Sequence, residues 1–498
     1  MRSPPAASPP PPPVAGQPPS LKVSTTGPTS AFVTVTPPAG GCVPVSYELS
    51  HKPVRSLNAP ALTTLRAGQS ITASLGNLRT GAEYEATVLG VCADGTRTPP
   101  SAPATFTPAA PPACHANSTG EDLFAPDGLY HDYGGESVAV DGDTAVFGAA
   151  GWDPNGNGAP DDYVGRVLVF SRSEGAGWAW QQTLTLEPPY NVSDSNFGKN
   201  VILDGGDLIV HSYYTDNQGA AWVFRRAGGA WAPTQKLTSR APATNAYFGG
   251  SMALRAGTLA IGTTDELYIY KRAGGQWVEQ ARMVPGTLGI CCWGRDDVAV
   301  DDDGATVVVS ARTYFEDDGA VFVYTKTGPG GAWAEHQVLR VAKGDYEQMG
   351  FRVAMDGGVI LATARGVAAP PGCVYAFTRS GANWTLASQL LPPAFTGVNF
   401  ATDAIAFSGG MAVVGDPSYL TSVGAVFLYT WNGTRLVPKA PSGVLFRFSS
   451  ADFGAAVALS TGNAGAHCDT LVVGAPYVDG PGDSGGVEYQ GGMTAFPM

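Results

Sequence analysis

The fold is decided by the stretch from Asp132 to Arg172, DYGGESVAVDGDTAVFGAAGWDPNGNGAPDDYVGRVLVFSR. It contains three runs of β-forming residues, which are Ser137 to Val140, Ala145 to Ala149 and Arg166 to Phe170. An Asp-Gly turn separates the first two runs, and such a turn is typical of a β-hairpin. The stretch therefore predicts three short antiparallel strands.

The same unit recurs through the rest of the chain. Its first strand can be recognised in seven copies: Ser137 to Val140, Asn200 to Leu203, Ser251 to Leu254, Asp297 to Val300, Arg352 to Met355, Ala404 to Phe407 and Ala456 to Leu459. A Tyr or Phe, usually beside a glycine, precedes most copies, as in Tyr133-Gly134, and the fourth and fifth copies carry Trp293-Gly294 and Gly350-Phe351 instead. A fourth strand is expected to begin at a tryptophan in six copies, and a glutamine follows most of these residues: Trp180, Trp231, Trp277, Trp333, Trp384 and Trp431.

Four strands in each of seven copies predict an all-β fold, a seven-bladed β-propeller, because each sheet has two apolar faces that only its neighbours can cover. The last copy ends at Met498, directly after its third strand. Its missing fourth strand has a candidate at 121–124, just before the first copy. We expect this segment to pair beside Met493 to Phe496 and to close the ring, which removes an open sheet edge.

The residues before the repeats predict three further segments. Residues 1–19 are a proline-rich linker or stalk, because their proline run adopts an extended polyproline II conformation. Residues 20–108 contain alternating β-forming runs that predict one β-sandwich, and residues 109–116 are a second linker. The propeller is then expected to occupy residues 117–498.

The sandwich resembles a fibronectin type III domain. The segment Leu78 to Tyr84, LRTGAEY, is similar to the corner of that family, in which a leucine and a glycine precede a tyrosine. Val35 stands where the family usually has a core tryptophan. A disulfide between Cys42 and Cys92 is expected to compensate for the smaller core, since closing a loop of this length contributes about 3 to 4 kcal/mol.

The repeats resemble the FG-GAP repeat, the blade of integrin α-chain propellers and of many secreted adhesion-type proteins. The pattern is an aromatic residue with glycine, a VAV-like strand, a turn, a VVGA-like strand and a strand that ends in an aromatic residue. Val472 to Pro476, VVGAP, is the closest match to its second half. The resemblance covers about residues 117–498 and implies a fold more than a function.

One loop predicts a calcium site. Asp153, Asn155, Asn157, Gly158 and Asp161 have the D-x-N-x-N-G-x-x-D spacing of the calcium loop in integrin-type repeats, with a backbone carbonyl expected from Ala159. The alternative is an ordinary Asn/Gly surface loop. Turn chemistry alone explains the aspartates of the first turns, and no ligand role is predicted for them: Asp141-Gly142-Asp143, Asp204-Gly205, Asp303-Gly304 and Asp356-Gly357.

Composition predicts an extracellular protein. The formal net charge is -13 and the sequence has no cluster of Lys or Arg, which argues against nucleic acid or an anionic membrane as the main partner. Four glycosylation sequons indicate secretion or the cell surface: Asn117, Asn191, Asn383 and Asn432. A second disulfide between Cys114 and Cys468 is expected if the ring closes as described. The pairing of Cys291, Cys292 and Cys373 stays open.

These observations predict a non-catalytic extracellular adhesion, binding or structural protein in a cell-surface or matrix assembly. No nucleophile, base and orienting acid stand together among the six histidines, so no enzyme is expected. The partner is expected to be a protein or glycoprotein that binds the face carrying acidic loops: Asp216, Glu316 to Asp318, Asp479 and Asp483. The alternatives are a solvated acidic rim, a carbohydrate-binding propeller lectin and a secreted hydrolase or lyase.

Overall fold

The computed structural model describes residues 18–25, 31–38, 42–53, 61–66, 71–75, 83–106, 120–128, 131–154, 163–173, 177–186, 194–240, 247–284, 293, 296–314, 318–328, 331–341, 346–366, 372–392, 400–419, 423–439, 444–445, 450–460, 469–478 and 491–498. These residues form β-strands and turns, with a short 3-10 helix at Thr215–Asn217. The all-β class predicted from the sequence is therefore confirmed. No helix among them is long and apolar enough to cross a bilayer. They divide into two compact units, one within residues 18–106 and one within residues 120–498.

The first unit contains two antiparallel sheets. Three strands form one sheet, in the order Ser20–Thr25, Ala31–Thr36 and Ile71–Leu75. Four strands form the other, in the order Ala61–Arg66, Pro44–Pro53, Tyr84–Cys92 and Ala104–Phe106. The Tyr84–Cys92 strand alternates buried and half-buried residues along its whole length, as expected for a strand with one face on a core.

The two sheets of the first unit share one apolar core. Val33 and Val35 pack with Tyr47 and Tyr84, and the Tyr84 ring stacks on Phe106 with centroids 5.6 Å apart. Val35 is 2 % exposed, so it is a core residue although it is smaller than tryptophan. The predicted disulfide between Cys42 and Cys92 is confirmed, with Cα atoms 6.1 Å apart.

The second unit is built from successive antiparallel sheets, and those of the described residues are numbered sheet 1 to sheet 7. Sheet 1 has the strands Gly134–Asp141, Thr144–Ala149, Arg166–Ser173 and Gly177–Leu184. Sheet 2 has Val201–Asp204, Asp207–Ser212, Ala220–Ala227 and Ala230–Leu237. Sheet 3 has Ser251–Arg255, Thr258–Gly262, Leu267–Ala273 and Gln276–Met283. Sheet 4 has Val298–Val300, Thr306–Ala311, Ala320–Lys326 and Trp333–Leu339.

Sheets 5 and 6 each carry an additional short strand. Sheet 5 has Val353–Asp356, Val359–Gly366, Cys373–Ser380 and Asn383–Leu390, with Tyr346–Glu347 added to its second strand. Sheet 6 has Ala404–Ser408, Met411–Asp416, Ala425–Trp431 and Leu436–Pro438, with Val444–Leu445 added to its third strand. Two short strands, Ser450–Ala451 and Tyr477–Val478, pair with each other.

Sheet 7 takes its fourth strand from the start of the unit. Its strands are Ala456–Ser460, Thr470–Ala475, Gly492–Pro497 and Glu121–Leu123, in that order. Met493 lies opposite Leu123, and Ala495 lies opposite Glu121. The outer edge of sheet 7 is therefore covered by a segment far away in sequence, which protects the backbone groups of the last strand.

Each sheet packs against the next one through an apolar cluster. Val169 of sheet 1 packs with Val210 and Phe224 of sheet 2, and the same kind of contact joins every later pair up to sheets 6 and 7. A further cluster joins Met493 of sheet 7 with Phe147 of sheet 1. The second and third strands are buried on both faces because they lie between two neighbouring sheets.

In sheet 1, a glycine stands at the position that the aromatic residue of the repeat occupies in sheet 2. Phe197 of sheet 2 is fully buried and forms a parallel bridge with Gly165. The residue that makes the equivalent bridge in sheet 1 is Gly134, which pairs with Gly491. Tyr133 lies one residue earlier, at a φ of 51°, and is half-buried rather than part of the core. The predicted Tyr133-Gly134 pair was therefore wrong by one position.

Sheet 5 shows a similar shift. Met349 makes the bridge, with Gly319, and is 1 % exposed. Gly350 follows at a φ of 103°, a conformation that strains residues with a side chain. Phe351 is half-buried beneath the guanidinium group of Arg312, which lies 5.0 Å from the ring centroid. The predicted Gly350-Phe351 pair was wrong because a methionine fills the aromatic position.

Two of the six predicted tryptophan positions were also wrong. Trp178 pairs with Arg172, as Trp231 pairs with Arg226 in sheet 2, so Trp178 and not Trp180 is the repeated residue. Trp180 is 47 % exposed. Trp431 ends the third strand of sheet 6 instead of starting the fourth. The other four tryptophans are the first or second residue of a fourth strand: Trp231, Trp277, Trp333 and Trp384.

The glutamines that follow these tryptophans join neighbouring sheets. The side-chain amide of Gln182 donates to the Trp231 carbonyl at 2.9 Å and accepts from the Trp231 N–H at 2.8 Å. Gln235 makes the same two bonds to Trp277, and so does Gln337 to Trp384. Each amide therefore satisfies both backbone groups of an outer-strand residue in the next sheet.

Glu121 of the closing strand occupies the same register position in sheet 7. It lies opposite Ala495, just as Gln235 lies opposite Val223 in sheet 2. Its two carboxylate oxygens accept from the Trp178 N–H of sheet 1, each at 3.2 Å. The junction between the last and first sheets thus repeats half of the glutamine contact, because a carboxylate accepts but does not donate.

Candidate functional site

The second unit has two chemically different ends. The loop end carries the residues that follow the second strands, those that precede the third strands and the segments leading into the first strands, for example residues 150–154, 163–165 and 131–133 in sheet 1. The turn end carries the tight hairpins, for example 142–143 in sheet 1. The predicted calcium loop and the predicted partner surface both belong to the loop end, because Asp153 follows the second strand of sheet 1.

Asp153 lies at the base of the predicted calcium loop, and its side chain is buried, with 6 % exposure. The preceding residue, Trp152, brings the two ends of the loop together, because its carbonyl accepts from the Gly165 N–H at 2.9 Å. The other predicted ligands lie outside the described residues: Asn155, Asn157, Ala159 and Asp161. The described residues contain no group of three or more His, Cys, Asp or Glu placed to hold a metal ion. Calcium binding therefore stays a prediction.

Arg166 is a buried cation directly beneath this loop. It begins the third strand of sheet 1, is 1 % exposed, and pairs with the equally buried Asp132, with Nη2 and Oδ2 2.9 Å apart. Its Nη1 pairs with the exposed Asp127 at 2.8 Å, and its guanidinium carbon lies 5.1 Å from the centroid of the Trp152 ring. A buried Arg–Asp pair holds two segments in one geometry, because breaking it would leave a buried charge without a partner.

A cluster of three tyrosines, the 133 cluster, lies beside this ion pair. The ring of Tyr133 meets Tyr163 with centroids 6.2 Å apart and Tyr477 with centroids 5.7 Å apart, both edge to face. Burial, together with the neighbouring phenol of Tyr163, raises the pKa of Tyr133 to about 12. The rings are half-buried, so this part of the loop end offers phenol hydroxyls and aromatic edges to solvent.

A second cluster, the 213 cluster, lies at the loop end between sheets 2 and 3. Tyr213 contacts Tyr214 with centroids 4.6 Å apart and stacks on Tyr247 with centroids 4.8 Å apart. Behind it, His211 is the penultimate residue of the second strand of sheet 2 and is 1 % exposed. Burial lowers the pKa of His211 to about 3, so this imidazole is neutral at physiological pH.

The predicted acidic loops are partly neutralised within the protein. Asp216, which is exposed, forms an ion pair with Lys236, and Asp318 lies 3.9 Å from Arg340. Both carboxylates therefore have cationic neighbours in their own sheet. The remaining acidic residues of these loops lie outside the described residues: Glu316, Asp317, Asp479 and Asp483.

The first-turn aspartates do more than shape their turns. Asp141 accepts from the Gly205 N–H of sheet 2 at 3.0 Å, and Asp356 accepts from the Gly410 N–H of sheet 6 at 3.2 Å. Arg255 of sheet 3 bonds to Asp356 of sheet 5 at 2.7 Å and pairs with Asp302 of sheet 4. These side chains join the turn end of one sheet to those of others. Sequence reasoning missed this role because an Asp-Gly turn alone already accounts for the residue type.

The modification sites are described only in part. Asn383 is exposed, and the Asn432 side-chain oxygen accepts from the Thr434 and Arg435 N–H groups at 3.0 and 2.9 Å. Asn117 and Asn191 lie outside the described residues, as do four cysteines: Cys114, Cys291, Cys292 and Cys468. Cys373 is buried and forms no disulfide among the described residues, and burial raises the pKa of its thiol to about 11.

Comparison with known proteins identifies an FG-GAP repeat at residues 120–165. This match spans the closing strand of sheet 7, the first two strands of sheet 1 and the predicted calcium loop. No curated protein matches the chain. Among solved structures, the chain is similar to a Bacteroides uniformis protein assigned as a 6-phosphogluconolactonase, at 10 % identity and a TM-score of 0.45, covering 81 % of this chain and 100 % of that one.

Fibronectin domains are also similar to part of the chain. The fn3 domain of human collagen alpha-1(XX) shares 27 % identity, with 20 % of this chain and 91 % of that chain covered and a TM-score of 0.18. The FN5 domain of Drosophila Lar shares 20 % identity, with 19 % and 96 % covered and a TM-score of 0.16.

Proposed function

We propose that the second unit is a closed seven-bladed β-propeller of the FG-GAP type. The packing of sheet 7 on sheet 1 and the closing strand Glu121–Leu123 support this, since a ring of blades leaves no sheet face uncovered. We propose that the first unit is a fibronectin type III-like spacer and that the proline-rich residues 1–19 are a stalk. Together they would hold the propeller at a distance from an attachment point.

We further propose that the protein is a non-catalytic extracellular adhesion or binding protein, whose loop end binds a protein or glycoprotein. The observation that carries this proposal is the pair of half-buried tyrosine clusters at the loop end, the 133 cluster and the 213 cluster. Tyrosine supplies a large contact area with only two rotatable side-chain angles, and it is among the residues enriched at binding hot spots. Rigid sheets beneath these residues reduce the entropy lost on binding.

The experiment is a binding screen of the purified, secreted chain against arrays of extracellular proteins and of glycans. A double variant, Tyr213→Ala with Tyr247→Ala, is expected to weaken any protein or glycoprotein binding by at least about 10-fold, because each hot-spot tyrosine contributes about 2 kcal/mol. Trp180→Ala is the matched control, since Trp180 is an exposed aromatic residue of an outer strand, away from the loop end. Equal binding by the wild type and the tyrosine variant would contradict the proposal, and binding confined to pure glycans would support the lectin alternative.

We also propose that the loop that begins at Asp153 binds calcium. A buried aspartate at the first ligand position supports this, because that ligand must turn inward. Calcium chloride is expected to raise the midpoint of thermal unfolding, and Asp153→Ala should abolish this rise while Asp303→Ala, at an exposed turn, retains it. A midpoint that is insensitive to calcium in the wild type would rule out the site.

A further inference from the structure

A cavity of about 230 Å³ lies between sheets 1 and 2 at the turn end, away from the tyrosine clusters. Thr144, Ser171 and Gln181 of sheet 1 line one side, and Arg226 and Trp231 of sheet 2 line the other. The contact of Gln182 with the Trp231 backbone holds the two outer strands together beside it. The cavity is therefore a preformed space with polar groups on both walls.

The repeat allows each cavity residue to be compared with its equivalent at the next junction. Thr144 lies opposite Ser171 in sheet 1, and the residues in these two positions of sheet 2 are Asp207 and Arg225. In the same way, Arg226 of sheet 2 lies opposite Trp231, and Arg272 of sheet 3 lies opposite Trp277. An arginine therefore faces the preceding sheet at both junctions.

At the junction of sheets 2 and 3, the protein supplies its own anion. Asp207 is 2 % exposed, bonds to Arg225, and has an oxygen 3.6 Å from Nη1 of Arg272. At the junction of sheets 7 and 1, Arg172 is the equivalent cation. It pairs with Asp143 of its own sheet at 3.1 Å, and its Nη1 donates to the Thr470 hydroxyl of sheet 7 at 3.2 Å. In both cases the arginine has a carboxylate partner, which comes from the preceding sheet for Arg272 and from its own sheet for Arg172.

At the junction of sheets 1 and 2, Thr144 stands at the position that Asp207 holds in sheet 2, as Thr470 does in sheet 7. Arg226 has no ion pair among the described residues, and its Nε donates to the Gly229 carbonyl of its own hairpin at 3.3 Å. Ser171 stands at the position of Arg225 in sheet 2, and Thr144 stands at the position of Asp207. Because both side chains are smaller than their equivalents, they leave the open volume of the cavity. The site thus combines a cation, two hydroxyls and an amide, but lacks the anion that the neighbouring junctions contain.

We propose that this cavity binds a hexuronate, a sugar that carries a carboxylate. The carboxylate of the sugar pairs with Arg226, in the way that Asp207 pairs with Arg272 at the next junction. Arginine binds carboxylates through two parallel N–H bonds, which gives both energy and orientation. The hydroxyls of Thr144 and Ser171 and the Gln181 amide are partners for the sugar hydroxyls. This proposal does not depend on the loop end, so it stands or fails separately from the proposed function.

The test is isothermal titration of the full chain with D-glucuronate, with D-glucose and acetate as comparison ligands. We expect one glucuronate per chain, with affinity at least about 10-fold higher than for glucose or acetate and falling as sodium chloride is raised. Arg226→Met keeps the apolar stem and should weaken glucuronate binding at least about 10-fold. Arg272→Met, whose arginine already has Asp207 as a partner, is the matched control and should bind glucuronate like the wild type.

A second variant tests the comparison with the next junction directly. Thr144→Asp introduces the carboxylate that Asp207 provides in sheet 2, so it should pair with Arg226, abolish glucuronate binding and leave the thermal midpoint equal or higher. The proposal is overturned if the wild type does not bind glucuronate at about millimolar concentrations, where weak sites of this kind are occupied. Equal binding of glucose, equal binding of acetate, or undiminished binding by Arg226→Met would also overturn it.

Discussion

The turn end and the loop end of the second unit are stabilised by different chemistry. At the turn end, short hairpins are tied to other sheets by hydrogen bonds and ion pairs, such as Asp141 to Gly205 and Arg255 to Asp356. At the loop end, aromatic rings pack beside one another, and the deeply buried ion pair of Arg166 with Asp132 lies beneath them. The turn end joins sheet to sheet through polar side chains, whereas the loop end combines exposed ion pairs, such as Asp216 with Lys236, with the buried pair beneath its aromatic rings.

The difference assigns a structural role to the turn end, whereas the loop end is suited to binding. Tight turns that bond to their neighbours fix the spacing of the sheets and tolerate little change. The loop end has longer connections on a rigid support, which is where binding residues usually lie in β-proteins. The comparison predicts that substitutions of buried charge at the loop end cost more stability than substitutions of the turn-end network.

The largest effect is expected from Arg166→Met. It removes the cation that pairs with the buried carboxylate of Asp132, which should lower the free energy of unfolding by about 3 to 5 kcal/mol. Urea unfolding measures this change. Arg172→Met is the control, because Arg172 and Asp143 are partly exposed and such a pair contributes less than about 1 kcal/mol. If Arg166→Met combined with Asp132→Asn is no more stable than Arg166→Met alone, the buried charge is not the cause.

A pH-dependent effect is expected from His211, also at the loop end. Its pKa is lowered to about 3 in the folded chain and is near 6.5 when unfolded, so the unfolded chain binds the extra proton between these values. Stability is therefore present above pH 6.5 and lost as the pH falls, by about 2 kcal/mol between pH 6.5 and 5. Urea unfolding of His211→Phe should show a flatter profile across this range. The exposed His336→Gln serves as the control, and a profile of His211→Phe that is as steep as that of the wild type would refute the assignment.

A smaller effect is expected from Arg255→Met at the turn end. Arg255 is partly exposed and joins Asp302 and Asp356, so its loss should cost about 1 kcal/mol at pH 7. Burial, and then the neighbouring Asp302, raises the pKa of Asp356 to about 6. Below that pH the carboxyl is largely neutral and the ion pair is weak in the wild type too. Thermal unfolding at pH 7 and pH 5 should therefore show a larger difference between the two proteins at pH 7, and an equal difference at both would contradict this.

The smallest effect is expected from Gln182→Ala, which removes the two bonds to the Trp231 backbone near the turn end. The loss should be less than about 1 kcal/mol, because the freed backbone groups are only part-buried and water can reach them. Gln181→Ala changes the adjacent glutamine, which is exposed, and should leave the urea midpoint unchanged. Equal effects from both substitutions would show that the contact between sheets is unimportant.

Much of the strand pattern could be predicted because it is local. Alternation of small, branched and aromatic residues around an Asp-Gly turn is enough to predict the hairpin of Gly134–Asp141 with Thr144–Ala149. The segment 121–124 was expected from the missing fourth strand, and Glu121–Leu123 does pair with the last strand. The choice between Trp178 and Trp180 could not be made, since both lie in one strand and only the register with Arg172 distinguishes them.

The candidate site was less predictable, because its contacts join distant residues. Arg166 and Asp132 belong to different segments, and nothing in either segment alone indicates the pair. The calcium loop was predicted from spacing, but of its predicted ligands only Asp153 lies within the described residues. The role of the first-turn aspartates was missed, because hydrogen bonds to neighbouring sheets leave no additional signal in the sequence.

The sequence by itself determined the strands, the turns and the repeat, since these follow from residue alternation and turn chemistry within about ten residues. Tertiary structure decided which tryptophan occupies the repeated position, which glutamine bonds to the next sheet, and where a cation lacks a carboxylate. The physical reason is that these properties depend on how one sheet faces another. Gln182 and Trp231 are 49 residues apart in the chain, and only the packing of sheet 1 on sheet 2 brings them within hydrogen-bond distance.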